Sequence, residues 1–180
     1  MDQPVYTADA SFNCYNVMDK SGKHACYSHY GFVGFLYGGP IAWRSKICKR
    51  VLKSARDAEA IALEAAAESA LMTRMVLDHF ELLKGPTEIF GDNEALYKGV
   101  ENESFRSCDR HILKTYYLIA EKVDDGEICL GLLPTDEMPA DVFTKSLGIL
   151  FVVSGELTRR KSRSSHQRYL SGWACLRILN

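Results

Sequence analysis

Apolar and polar positions change their spacing several times along this chain, and each change marks an element. Residues 4–12 alternate weakly and predict a strand. Residues 13–29 are polar, with Asn13, Asn16, Asp19, Ser21 and Gly22, and predict a loop or a wide hairpin connection. The run Y-G-F-V-G-F-L-Y-G at 30–38 predicts a second strand, with Gly38-Gly39 as a turn signal. Pro40 then opens a third strand, I-A-W-R-S-K-I, so residues 1–47 predict an antiparallel meander. From about Ser54 to Lys84 there is no Gly or Pro. Ala62, Ala65, Ala66, Ser69, Met72, Val76, Phe80 and Leu83 make one stripe at helical spacing there, ended by Gly85-Pro86. Thr87–Gly91 predicts a short strand and 94–100 a short helix; 101–109 predicts a loop. Residues 110–123 predict a second clear helix, with Ile112, Tyr116, Ile119 and Val123 on one face, broken by Asp124-Asp125-Gly126. Glu127–Leu133 predicts the last strand, and Ala140–Leu147 a final short helix after Pro134 and Pro139. The order β-β-β-α-β-α-α-β-α specifies an α/β domain with a mixed sheet: antiparallel at first, then parallel where helices make the crossovers. Tyr37 and Trp43 are expected in its core.

Composition narrows the class. The 180 residues suit one domain, or one domain and a tail, and 47% apolar content suffices for a core without covalent staples. Residues 1–147 read as the domain. Residues 148–180 differ in kind, carrying the basic, serine-rich run E-L-T-R-R-K-S-R-S-S-H-Q-R, and are expected to be a partly disordered tail. A formal net charge of −1 excludes a polybasic coat protein, yet leaves room for a local basic face. The six cysteines form no C-x-x-C pair and no secretory leader precedes them, which predicts reduced thiols in an intracellular protein. Cys14, His24, Cys26 and His29 are close enough in sequence to suggest zinc, but their spacing fits no familiar finger. No apolar run approaches the roughly 18 residues of a membrane span.

Four acids at four element boundaries change the picture: Asp9 on the first strand, Glu59 at the start of the long helix, Asp92 after the fourth strand and Asp141 at the last helix. Each is flanked by apolar residues, so folding draws all four inward. Buried carboxylates repel and desolvate at several kcal/mol each unless neutralised. A pair of divalent cations roughly 3.5–4 Å apart would neutralise them, and such pairs serve phosphodiester hydrolysis. Taken singly, each acid has a plainer role. Asp92 or Asp141 would serve as a helix N-cap, and Glu59 would meet the helix dipole.

The element order with these acids resembles ribonuclease H. The wording is similar to the ribonuclease H domain of copia-type LTR retrotransposon polyproteins, in the reverse transcriptase/ribonuclease H region. The stretches that carry the resemblance are D-A-S-F at 9–12, G-F-V-G-F-L-Y-G-G-P-I-A-W-R-S-K at 31–46 and D-A-E-A-I-A-L-E-A-A-A-E-S-A-L at 57–71. Others are I-F-G-D-N-E-A-L at 89–96, R-H-I-L-K-T-Y-Y-L-I-A-E-K-V-D-D-G-E-I at 110–128 and P-T-D-E-M-P-A-D-V-F-T-K-S-L at 134–147. The resemblance implies a ribonuclease H-like fold, a five-stranded mixed sheet with helices on both faces. It implies that Asp9, Glu59, Asp92 and Asp141 are the catalytic, metal-binding carboxylates, holding two Mg2+ ions or Mn2+ in their place. The implied activity is endonucleolytic cleavage of the RNA strand of RNA–DNA hybrids during reverse transcription. The alternative is an inactive remnant that keeps the fold and at most binds nucleic acid; a third reading is an acid-lined interaction module without metal. The polymerase domain that precedes this one in the family is absent from the chain. The expected location is cytoplasmic, particle-associated in intact elements, or nuclear, with no membrane.

Substrate grip is expected from Arg44, Lys46, Lys49, Arg50 and Lys53, clustered on the third strand and the loop before the long helix. The same charges would equally protect a solvated edge strand. Asn13 and Asn93 are expected to meet 2′-hydroxyls, which distinguish RNA. His111 reads as structural. Asp136 or Glu137 stands where many ribonucleases H carry a histidine, with a weak role in product release.

Overall fold

The computed structural model describes residues 3–18, 24–101 and 110–145. The loop expected at 101–109, but for Glu101, and the tail expected from 148 lie outside the described residues. β1 (Val5–Met18), β2 (His24–Leu36) and β3 (Gly39–Cys48) form an antiparallel meander. α1 (Ala55–His79) crosses to β4 (Thr87–Gly91), which pairs in parallel with β1. α2 (Glu94–Glu101) and α3 (Arg110–Asp124) then lead to β5 (Ile128–Leu132), parallel to β4. The strand order is β3-β2-β1-β4-β5, so β1 is central.

Strand alternation assigns the two faces of β1. Tyr6 and Ala8 point toward α1 and share one core with Phe32, Ala62, Ala66, Leu96, Tyr116 and Ile128. Five small residues, Ala58, Ala62, Ala65, Ala66 and Ala70, let α1 lie close to the sheet. Tyr6 spans that seam, its hydroxyl 3.2 Å from the Ser69 carbonyl oxygen and 2.7 Å from Thr73 Oγ1. Thr7 and Asp9 point the other way. There the short 3₁₀ helix Pro139–Phe143 leans on the sheet. It can do so because Gly31, the partner of Asp9 across the ladder, has no side chain. A Cβ on Gly31 would lie 2.6 Å from Phe143 Cβ and 2.9 Å from the Arg44 carbonyl oxygen.

The structure corrects several expectations. The polar stretch 13–29 is mostly strand: β1 and β2 pair past a bulge between Ser11 and Tyr15, where Asn13 turns left-handed at φ 49. Backbone ladder bonds, which polar composition does not reveal, carry this part of the hairpin. α1 ends at His79, five residues before the expected Lys84. Glu81 adopts φ 56, and the N–H groups of Glu81 and Leu82 bond the carbonyls of Asp78 (2.9 Å) and Leu77 (2.8 Å). That is a Schellman ending without glycine. The stripe was also misplaced at its far end. Met72, Val76 and Phe80 are exposed, while the buried line continues through Ala70 to Leu77, with Ser69 and Thr73 facing Tyr6. Ser69 faces inward as the stripe expects, and Tyr6 also turns Thr73 inward, a polar position outside that stripe. Tyr37 and Trp43 are 65% and 64% exposed, not core. Tyr37 sits in the β2–β3 turn with φ 52, and Trp43 lies on an edge strand. The first turns of the expected final helix are 3₁₀, over Pro139–Phe143.

Candidate metal centre

β1 and β4 run in parallel with Thr7 opposite Phe90. Two residues further along each strand path stand Asp9 and Asp92, so the sheet itself sets these acids side by side. Glu59 arrives from α1, whose entry is fixed by Ser54: its hydroxyl accepts from the Asp57 N–H at 3.1 Å. Each of Asp9, Glu59 and Asp92 offers a carboxylate oxygen, and the three atoms lie within 4.8 Å of one another.

Every member of this cluster is held. Thr144 donates its hydroxyl hydrogen to Asp9 Oδ2. The Ala10 N–H donates to Glu59 Oε1 at 3.3 Å, tying helix to strand. The Thr135 hydroxyl donates to Asp92 Oδ2 at 2.9 Å. Asp141 stands beside the triad on the 3₁₀ helix, its Oδ1 2.6 Å from Lys145 Nζ. Its charge is felt at Asp9.

The electrostatics are those of crowded, partly dehydrated anions. Burial raises the Asp9 pKa; the Thr144 bond opposes this, and Asp141 adds to the rise. Burial, then the charges of Asp9 and Asp92, push Glu59 up to about 9. Tyr97 of α2 is buried behind the cluster. Its phenol is pushed well above its ordinary value by burial first and by Glu59 and Asp92 second. Burial works against the Lys145 ammonium, but the bond to Asp141 and the fields of Asp9, Asp141 and Asp92 outweigh it and raise its pKa.

The cap of α2 belongs to Asn93, whose Oδ1 accepts from the Leu96 N–H at 3.0 Å, leaving Asp92 free to meet Thr135. Asn93 thus has its carbonyl oxygen engaged in the helix. Among the described residues, Asp141 caps no helix with its side chain. Asn13 is exposed at the β1 bulge, its N–H donating to Ser28 Oγ at 3.2 Å. Arg44, Lys46, Lys49, Arg50 and Lys53 are all exposed, along β3 and the segment that follows it. Arg44 also stacks over the Phe32 ring at 5.5 Å. The side chain of His111 lies outside the described residues. Sequence reasoning missed Thr135, Thr144, Lys145 and Tyr97. Only Lys145 left a signal, four residues after Asp141 and so one helical turn away.

No family model matches the chain. Among curated proteins it is similar to the "Retrovirus-related Pol polyprotein from transposon TNT 1-94" of Nicotiana tabacum, 29% identical over 115 residues, 64% of this chain and 9% of that protein. The "Retrovirus-related Pol polyprotein from transposon RE2" of Arabidopsis thaliana is 28% identical over 139 residues, 76% of this chain and 10% of that protein. The chain spans about a tenth of the length of these relatives. Among solved structures, RNase H1 from Halobacterium salinarum superposes with a TM-score of 0.53 at 18% identity, covering 79% of this chain and 94% of that one. LC11-RNase H1 in complex with an RNA/DNA hybrid gives 0.57 at 14% identity, with the same coverage. The chain therefore has the ribonuclease H-like fold, and its relatives by sequence are retrovirus-related Pol polyproteins of plant transposons.

Proposed function

We propose that this chain is a ribonuclease H-type hydrolase that cleaves the RNA strand of RNA–DNA hybrids in retrotransposon reverse transcription, using two divalent ions. The observation that carries this is the convergence of Asp9, Glu59 and Asp92 from three separate elements to within 4.8 Å. Two of these three carboxylates are held above their ordinary pKa by burial and mutual repulsion, so the arrangement disfavours itself until a cation is added. An all-oxygen, multi-carboxylate donor set suits magnesium or manganese rather than zinc or copper. Asp9, Glu59 and Asp92 would hold the metal, with Asp141 as the outer fourth ligand. Bound there, divalent ions would acidify the attacking water and stabilise the leaving 3′ oxygen.

The residues of the chain then have distinct tasks. Asp9 sits on the central strand and is aimed by Thr144. Thr135 orients Asp92. Tyr97 stays a neutral phenol and screens the rear of the site from water. Arg44, Lys46, Lys49, Arg50 and Lys53 follow the phosphate backbone, a contribution that falls with salt. Asn13 and Asn93 contact 2′-hydroxyls. The hybrid is also what one structural neighbour, LC11-RNase H1, was solved with.

The test is magnesium-dependent cleavage of an end-labelled RNA–DNA hybrid by the full chain. The expectation is internal cuts in the RNA strand only, lost in Asp9→Asn at unchanged circular dichroism. Equal rates for wild type and Asp9→Asn would refute the proposal.

A further inference from the structure

The carboxylates of the cluster lie within the field of one particular cation. Lys145 Nζ is 2.6 Å from Asp141 Oδ1, and its charge reaches Asp9, Glu59 and Asp92 as well. The neighbouring residue, Thr144, bonds Asp9. Two consecutive residues at the end of the 3₁₀ helix thus grip two different acids. The acid of the ion pair is the more enclosed partner: the Lys145 side chain is 42% exposed and that of Asp141 23%.

We propose that the Lys145 ammonium is a built-in counter-cation, which neutralises the carboxylate cluster while no divalent ion is bound and is displaced from Asp141 when one loads. This deepens the metal-binding reading above and rests on it. Gathered, partly buried anions need a compensating charge close by. A lysine supplies it as a compact point charge on a flexible four-carbon stem, so the ammonium can swing to solvent while its backbone stays fixed. A divalent ion carries twice that charge and takes several oxygens at once, so it wins Asp141 when present. Lys145 therefore competes with the metal. A residue that merely held Asp141 in place would do the opposite, and its loss would weaken metal binding.

Calorimetric titration of the full chain with magnesium chloride or manganese chloride separates the two roles. The variants are Lys145→Met, which removes the charge, and Lys145→Arg, which keeps it. Lys145→Met is expected to tighten the apparent Kd by about fivefold and to lower the metal-free Tm; Lys145→Arg should stay near wild type. Unchanged or weaker binding in Lys145→Met overturns the inference and leaves the metal centre standing. Binding by Lys145→Met where wild type shows none supports it in its strongest form. If neither binds, the metal-centre reading falls and takes this inference with it. A second measurement needs no variant. Acetylation of the Lys145 amine in wild type, followed by mass spectrometry, should accelerate when magnesium saturates the site. A rate that is unchanged or slower in magnesium overturns the proposal.

Discussion

Glu59→Gln offers a test of the electrostatics that needs neither substrate nor metal. The Glu59 carboxyl is pushed up to about 9 in the folded protein, by burial and by Asp9 and Asp92, from an ordinary 4.5. Between these two values the folded chain holds a proton that the unfolded chain has released, so stability falls as pH rises through that window. Each tenfold difference in proton affinity is worth 1.36 kcal/mol. At pH 7 the wild type is therefore penalised by roughly 3 kcal/mol, a ceiling that any relaxation or hydration of the cluster lowers. Glutamine is neutral at every pH and keeps an oxygen for the Ala10 N–H. The metal-free variant should match wild type near pH 4.5. It should gain stability over wild type steadily toward pH 9, by about 1–3 kcal/mol at neutrality. Urea denaturation at pH 5, 7 and 9 in chelator reads this difference. A pH-independent difference, or a variant less stable than wild type at pH 7, would refute the reasoning.

Three further outcomes follow from the geometry. Thr144→Val removes the bond that opposes the rise of the Asp9 pKa; the acid limb of the cleavage profile should move to higher pH, while loss of activity at every pH without such a shift would contradict the role given to Thr144. Gly31→Ala forces a Cβ against Phe143 and the Arg44 carbonyl, and should destabilise by about 1–3 kcal/mol, seen as a lower urea midpoint; no change would mean that the 3₁₀ helix does not press on the sheet there. Glu81→Gly relieves a left-handed φ of 56 in a Schellman turn and should raise stability by about 0.5–1 kcal/mol; a lower melting temperature would argue against that ending of α1.

Much of the fold was legible because it rests on local signals. Gly38 and Gly126 marked element breaks; the 3.6-residue pattern of Ile112, Tyr116 and Ile119 marked α3. The lower hairpin was not legible, since the backbone pairing of Tyr15–Met18 with His24–Tyr27 has no period-2 pattern to announce it. The end of α1 was hidden for a related reason: a left-handed residue stops it, and that residue is Glu81, not glycine. At the site, the acids stood out because carboxylates among apolar neighbours are unusual. Their supports did not. Thr135 and Thr144 are ordinary in composition and lie 43 and 135 residues from the acids they bond. Such pairing belongs to tertiary structure, and only Lys145 obeyed a local rule.

The most direct test of the central claim is anomalous scattering from crystals of the full chain grown or soaked in manganese chloride. Manganese peaks are expected in contact with the carboxylates of Asp9, Glu59 and Asp92, and none in Asp9→Asn. Crystals saturated with manganese that show no peak among those three side chains would contradict it.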